Sequence, residues 1–216
     1  MKVLIAAVLY CLFFVSVEVI TRKTKVSKEI SRKTIHVIAG ISAALLPLVL
    51  SFHEILYLSS LFLLLMLLSK KINLFSSIHE VKRQTYGEVY FPLAVFIMAA
   101  VFPHQVFYMY GLLIMAVSDG SASIIGQKYG RKKYKLGLSE KSYIGSLTFL
   151  VSTVAIGIIS FIAIGAGIAQ AIYFSFLIAI ILTLTEGLLS YGLDNLVVSP
   201  VAGLLMWCVI RIVGLN

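Results

Sequence analysis

The sequence predicts an all-α fold, a polytopic membrane bundle of about eight transmembrane helices (range seven to nine), and three observations carry that prediction. Of 216 residues, 60% are hydrophobic and only 12% are charged, with a mean hydropathy of +1.03. Apolar runs near the ~20 residues that a helix needs to cross the hydrocarbon cover most of the chain. Sixteen of the 18 Lys and Arg fall in three short segments between those runs, leaving only Lys2 and Arg211 elsewhere. Such a composition excludes a soluble domain. No polar stretch is long enough to build a second core, so residues 1–216 read as one integral membrane domain. The net charge of +9 follows mostly from loop cations that retain their side of the membrane. Residual basicity can serve anionic lipid headgroups or a nucleotide.

Taken in order, the first span lies near 3–20. It is expected to be retained and not cleaved as a signal peptide. Its apolar stretch is long, no small-x-small site follows, and the basic cluster Arg22, Lys23, Lys25, Lys28, Arg32 and Lys33 comes directly after. Spans two and three, near 34–50 and 54–69, are joined by a short turn at Ser51–Glu54. Lys70, Lys71, Lys82 and Arg83 form the second basic cluster. Spans four and five, near 88–102 and 105–125, turn at Pro103–Gln105. The third cluster is Lys128, Arg131, Lys132, Lys133, Lys135 and Lys141. Spans six and seven, near 143–164 and 167–187, turn at Gly165–Gly167, and span eight lies near 196–213. The short turns imply antiparallel hairpins. Placing the three basic loops in the cytoplasm leaves both termini outside. The backbone must satisfy itself within each span, and the alternation of a barrel strand is absent, so the spans are helical. Cys11 and Cys208 both lie in apolar spans, where no structural disulfide is expected.

Polar residues interrupt this pattern at five places. Ser31-Arg32-Lys33-Thr34-Ile35-His36 opens span two, and in a helix Arg32 and His36 share a face. Arginine offers a fork for phosphate oxygens, and histidine can donate to phosphate or take a proton. A basic flank with an interfacial histidine is the plainer account. Glu88, in Gly87-Glu88-Val89-Tyr90-Phe91-Pro92, opens span four either as a favourable charge at a helix N-terminus or as a catalytic carboxylate. Asp119 ends an apolar run, where an ionisable group is costly and by default functional. Ala122, Gly126 and Gly130 follow it at intervals of four, a ridge poor in side chains. That ridge suits either a close helix neighbour or the approach of a nucleotide to backbone amides, with Lys132, Lys133 and Lys135 next in line for its phosphates.

Lys141, Ser142, Gly145 and Ser146 open span six. A lysine, hydroxyls and a small residue at a helix N-terminus can bind phosphate, although the glycine spacing of a Walker A loop is missing. Snorkelling by the lysine and capping by the serines is the alternative. Glu186 and Asp194 flank the last inner turn, which carries no Lys or Arg. Hard cations take oxygen ligands, and Mg²⁺ is usually held by one or two carboxylates plus substrate phosphates. Basic residues, small residues and carboxylates thus gather at the inner ends of several helices. No zinc spacing, no Ser-His-Asp order and no nucleic-acid module competes.

The ordered set Arg32-Lys33-x-x-His36, Asp119-x-x-Ala122-x-x-x-Gly126-x-x-x-Gly130-x-x-Lys133 and Lys141-Ser142-x-x-Gly145-Ser146 resembles the polyprenol kinase family. That family includes dolichol, phytol and farnesol kinases and CTP-dependent diacylglycerol kinase. The resemblance runs from about Arg32 to Asn195. It implies transfer of the γ-phosphoryl group of CTP to a membrane-embedded alcohol, with Asp119 to Ser146 as the CTP-binding segment and Arg32, Lys33 and His36 in the same site. A more distant similarity is to the phosphatidate cytidylyltransferases, whose C-terminal Asp-rich signature is not apparent here.

The expectation is therefore a Mg²⁺-dependent lipid-alcohol kinase acting on a polyprenol, a phytol-like alcohol or diacylglycerol. Asp119, with Asp194 or Glu186, would hold Mg²⁺. Lys133, Lys141 and Arg32 would neutralise phosphates, and His36 or Glu88 would orient or deprotonate the alcohol. A cytidylyltransferase is the rival of the same class. A small transporter or scaffold is the rival of another, although transporters bind near the bilayer midplane and these polar residues cluster at one face.

Overall fold

The computed structural model describes residues 1–23, 28–71, 86–136 and 139–214. Nine α-helices are found among them, and two run on into each other: α1 (Lys2–Lys23), α2 (Lys28–Ala44), α3 (Phe52–Lys71), α4 (Gly87–Val101), α5 (Gln105–Leu113), α6 (Gly120–Tyr129), α7 (Tyr143–Ala163), α8 (Ile168–Leu188) and α9 (Leu193–Val213). A π-helical turn, Ile114–Asp119, joins α5 to α6 in one continuous helix. A 3₁₀ turn, Leu46–Leu48, leads from α2 toward α3. The connections at 45–51, 102–104 and 164–167 fall where the sequence placed its short turns.

Among the described residues, five helices are long and apolar enough to cross a membrane: Phe52–Ser69, Gln105–Tyr129, Tyr143–Ala163, Ile168–Leu188 and Leu193–Val213. The other three expected spans correspond to shorter apolar stretches, Lys2–Val17, Lys33–Leu48 and Gly87–Val101. The count among the described residues is five, against the expected eight, and length accounts for α4. At 1.5 Å per residue a 15-residue helix such as α4 spans only about 22 Å, less than the ~30 Å of hydrocarbon. Outward faces are apolar throughout, with Leu147, Ile159, Ile172, Phe176, Leu184 and Ile212 all exposed. A continuous apolar exterior of this kind marks a chain immersed in lipid.

One element departs from the all-α expectation. Strands β1 (Lys133–Leu136) and β2 (Ser139–Ser142) form an antiparallel hairpin with Tyr134 opposite Lys141 and Lys135 opposite Glu140. Because successive strand residues point to opposite faces, Tyr134, Leu136 and Lys141 share one side, and Lys133, Lys135 and Glu140 the other.

Small residues set the closest helix contacts. A Cβ on Gly40 would meet Ala116 Cβ at 2.4 Å, and one on Gly120 would meet Val37 Cγ2 at 2.3 Å. These contacts seat α2 against the π turn. On the other side, a Cβ on Gly145 would lie 3.1 Å from Ala122 O and 3.4 Å from Gly126 Cα, so α6 and α7 touch backbone to backbone. Gly192, at φ +86°, precedes α9 in a conformation that only glycine adopts without strain. Tyr86 N donates to Tyr191 O, and Asn195 Nδ2 reaches Gly87 O at 3.5 Å. The first turns of α4 and α9 are thereby tied together beside the π turn.

Candidate active site

Asp119 closes the π turn and is only 4% exposed. π turns inside α-helices are rare and are frequently found at functional sites. Its Oδ2 lies 3.6 Å from Lys33 Nζ and 3.4 Å from His36 Nε2, both presented by α2. Lys33 and His36 stand three residues apart, so one helical face carries both. His36 Nε2 also sits 3.0 Å from Met115 O. A carbonyl only accepts, so the ring proton is assigned to Nε2 and Nδ1 is the acceptor. The ring packs edge-on against Phe91 of α4 at 5.8 Å between centroids.

Across from this group, Lys141 at the end of β2 contacts Glu186 near the C-terminus of α8. Its Nζ also lies 3.8 Å from Asp194 Oδ2 in the first turn of α9. The hairpin aims it there: Tyr134, on the same strand face, donates or accepts at 2.6 Å with Ser146 Oγ, and Leu136 lies against Gly187. Burial works against the charge on Lys141. Glu186 and then Asp194 outweigh it and hold its pKa above the ordinary lysine value.

The two halves meet at the carboxylates. One oxygen from each of Asp119, Glu186 and Asp194 falls within 4.8 Å of the others. Among the described residues this is the group of side chains fit to hold a metal ion, and its all-oxygen donor set suits a hard divalent cation. Three carboxylates face two lysines, Lys33 and Lys141, leaving a net charge of −1 with His36 neutral. A dication there would reverse the sign and suit a polyphosphate.

The other sequence candidates divide. Ser142 caps α7, its Oγ accepting from Gly145 N at 3.1 Å. Ala122, Gly126 and Gly130 face this same corner: a Cβ on Gly126 would come within 2.8 Å of Ser142 Oγ, and one on Gly130 within 2.5 Å of it. Of the two roles open to the ridge, helix packing is the one its contacts display. Lys133 turns away from the carboxylates and pairs with Glu140 at 3.6 Å, both side chains more than half exposed. Lys133 and Lys141 were both expected to meet phosphate; strand alternation sends the two to opposite faces, and of the pair Lys141 is the one beside the carboxylates. Lys33, expected to meet phosphate, instead lies on Asp119. The side chain of Arg32 lies outside the described residues, as do those of Arg22, Lys25, Lys28, Lys70, Lys71, Lys82 and Arg83. Sequence reasoning missed the hairpin, the π turn and the Lys141–Glu186 pair. Only the first left a signal, in the alternation of Lys133, Tyr134, Lys135 and Leu136.

Glu88, in the first turn of α4, lines an apolar cleft. The cleft has a cavity volume of about 100 Å³ and runs between α1, α2, α3 and α4. His36, Glu88 and Asn195 line one end of it. Histidine 36 thus belongs both to the charged cluster and to the cleft.

No known family profile matches the chain, and no solved structure does. Over 144 residues it is 27% identical to a phytol kinase of Synechocystis sp., a match covering 65% of this chain. The chain spans 61% of that relative's length. This similarity, on top of the ordered motifs, supports a relationship to the polyprenol and phytol kinase family.

Proposed function

We propose that this protein is a membrane-embedded kinase that transfers the γ-phosphoryl group of CTP to the hydroxyl of a lipid alcohol. The observation that carries the reading is the junction at His36, which lines an apolar cleft and also belongs to the group of carboxylates and lysines. The relative's activity on an isoprenoid alcohol supports the acceptor class. The donor rests on the motif resemblance.

Phosphoryl transfer requires mainly positioning and charge neutralisation. A tail held in the cleft leaves its hydroxyl at the His36 and Glu88 end. The alcohol oxygen attacks the γ-phosphorus, the bond from phosphorus to the bridging oxygen breaks, and CDP leaves. The hydroxyl proton passes to His36 Nδ1 or to the Glu88 carboxylate, whichever faces the bound alcohol. Asp119, Glu186 and Asp194 would hold Mg²⁺, which when bound neutralises phosphate charge and orients the nucleotide. Lys141 and Lys33 lie close enough to the carboxylates to exchange them for phosphate oxygens as the nucleotide arrives. In this reading eight helices lie in the bilayer, the three short ones packed against longer neighbours, and the site opens to the cytoplasm beside the basic loops.

Purified protein incubated with γ-labelled CTP, Mg²⁺ and a panel of lipid alcohols tests the proposal. Labelled lipid phosphate together with CDP is the expected result. Release of pyrophosphate with formation of a CDP-lipid would assign the chain to cytidylyl transfer. No product with any alcohol or nucleotide would remove the kinase reading.

A further inference from the structure

Lys141 already stands where a cation is wanted. Its ammonium group contacts Glu186 and lies 3.8 Å from Asp194 Oδ2, so it bridges two of the three carboxylates suited to a metal ion. Lys33 meets the third, 3.6 Å from Asp119 Oδ2. We propose that Lys141 is a tethered stand-in for the divalent cation: it neutralises the carboxylates until nucleotide arrives, keeps free metal out, and moves onto the phosphates when metal and nucleotide enter together. This rests on the kinase reading and adds the order in which the ligands assemble and the side chain that sets it.

Charge balance decides that order. With His36 neutral, the three carboxylates and two lysines sum to −1. A dication added by itself would leave +1 in a group where Asp119 and Glu186 are only 4% and 5% exposed. Burying a net charge without a counter-ion is costly. A polyphosphate added by itself would set several negative charges beside three carboxylates, at a similar cost. Brought together, each cancels the other. Lys141 then has to yield its place, because two cations sharing the oxygens of Glu186 and Asp194 repel at contact distance. The phosphates supply its new partners. An ammonium group is a compact point charge with three rotatable donors on a flexible stem, suited to trading one oxygen for another.

The fold pins the backbone of Lys141 and leaves its stem free. Across the hairpin it is paired with Tyr134, whose hydroxyl is tied to Ser146 Oγ at 2.6 Å. The next residue, Ser142, caps α7 by accepting from Gly145 N at 3.1 Å. The Lys141 side chain is nevertheless 17% exposed, against 6% for its partner Glu186, so its ammonium end has a way out. Lys33 is placed for a lesser part. It meets one carboxylate and shares it with His36, whereas Lys141 spans two. Removing Lys141 therefore frees two ligands at once.

The test uses the full-length protein in lipid nanodiscs and reads metal binding directly. Mn²⁺ replaces Mg²⁺ so that retained ion can be counted by electron paramagnetic resonance. Empty nanodiscs correct for ion held by lipid or by free nucleotide. Affinity is measured with and without a non-hydrolysable CTP analogue, and turnover with γ-labelled CTP is followed in parallel. In the wild type the analogue should tighten Mn²⁺ binding at least about tenfold, and Mn²⁺ should tighten analogue binding by the same factor. Lys141→Met should bind Mn²⁺ alone about tenfold more tightly than the wild type, the scale of one charge-assisted contact, and gain little more from the analogue. Lys141→Arg should bind Mn²⁺ alone more weakly than the wild type, because a guanidinium fork grips carboxylates bidentately. A lysine that only bound phosphate would leave Mn²⁺ affinity without nucleotide unchanged when replaced. Wild-type Mn²⁺ affinity indifferent to the analogue overturns the proposal, as does Lys141→Met without tighter binding. A shift in Lys33→Met as large as that in Lys141→Met overturns the assignment to Lys141. Turnover with no Mn²⁺ retained in any state would make Lys141 a permanent cation and overturn the exchange. Coupled binding without turnover on any alcohol would keep the exchange and reject the kinase reading. Turnover without coupling would do the reverse. Should Lys141→Met fail to fold, Lys141→Arg decides, and Mn²⁺ binding as tight as in the wild type rejects the exchange.

Discussion

Asp119 poses a question that a single substitution cannot answer. It is buried between Lys33 and His36, so it is both a candidate metal ligand and the partner of a buried lysine. Removing one member of such a pair leaves an uncompensated charge and costs roughly 3–5 kcal/mol. Asp119→Asn is therefore expected to lower thermal stability as well as turnover, the latter by about 100-fold or more, as loss of groups around a metal commonly does. The double variant Lys33→Met with Asp119→Asn removes both charges and should regain most of the stability without regaining activity. Recovery of turnover at unchanged Mg²⁺ demand would reduce Asp119 to an ion-pair partner. Lys141 and Lys133 make a second comparison at this scale. Lys141 is buried against two carboxylates, whereas Lys133 is exposed in a surface pair of the kind that contributes little. Lys141→Met should weaken apparent nucleotide affinity about tenfold or more, and Lys133→Ala should barely change it. A flat response across the two would disperse the phosphate contacts over the whole basic surface. The folded pKa of Lys141 is raised, so its contribution to stability is complete below the ordinary lysine value and lost only above it. Lys141 itself is therefore charged throughout about pH 6 to 9, well below the ~10.4 of a free lysine.

Elements position these residues through contacts that the sequence revealed unevenly. The ridge Ala122, Gly126 and Gly130 was visible as a small-residue repeat, and its contacts show how it shapes the corner beside the site. It lets α6 meet the start of α7, which fixes the Ser142 cap and hence the strand end that carries Lys141. Gly130 is the tightest position, since a Cβ there would lie 2.2 Å from Gly126 O and 2.5 Å from Ser142 Cβ. Gly130→Ala should cost about 1–3 kcal/mol, the scale of an overpacked contact. Gly167→Ala, where a Cβ would meet only Gln170 Oε1 at 3.6 Å, should be close to neutral. Equal melting temperatures for the two variants would show that the α6–α7 corner yields. The helices and their turns were legible because hydropathy alone decides where a chain can cross lipid. The hairpin was not, since its alternation of Lys133, Tyr134, Lys135 and Leu136 is too short to stand out within a basic loop. The pairing of Lys141 with Glu186 spans 45 residues, and no local pattern reports a contact made by tertiary packing. The π turn leaves no mark in residue type at all.

At the scale of the whole molecule, the distribution of charge and the position of the site make one argument. Exposed cations at Lys128, Arg131, Lys132, Lys133 and Lys135 surround the corner where α6, the hairpin and α7 meet. The carboxylate cluster lies at that same end, held by the start of α9 and the end of α8. His36 and Glu88 of the cleft lie toward that end, and Leu46 of its lining belongs to the 3₁₀ turn. A nucleotide approaching from water and a lipid tail lying in the bilayer would meet only at this end. By the positive-inside bias this end is expected in the cytoplasm. The bias is strong because retaining loop cations governs insertion, and sixteen of the 18 Lys and Arg obey one assignment. Single cysteines in a background with Cys11 and Cys208 replaced test it directly. Lys23→Cys at the end of α1 and Lys132→Cys beside the hairpin are both exposed positions and should be shielded from an impermeant thiol reagent in intact cells. His53→Cys, exposed at the start of α3, should react. After membranes are opened, all three should label. Labelling of positions 23 and 132 from opposite sides would break the bundle's alternation and, with it, the meeting of nucleotide and lipid at His36. Labelling of both from outside would keep the fold and place the site where no cytoplasmic nucleotide can reach it.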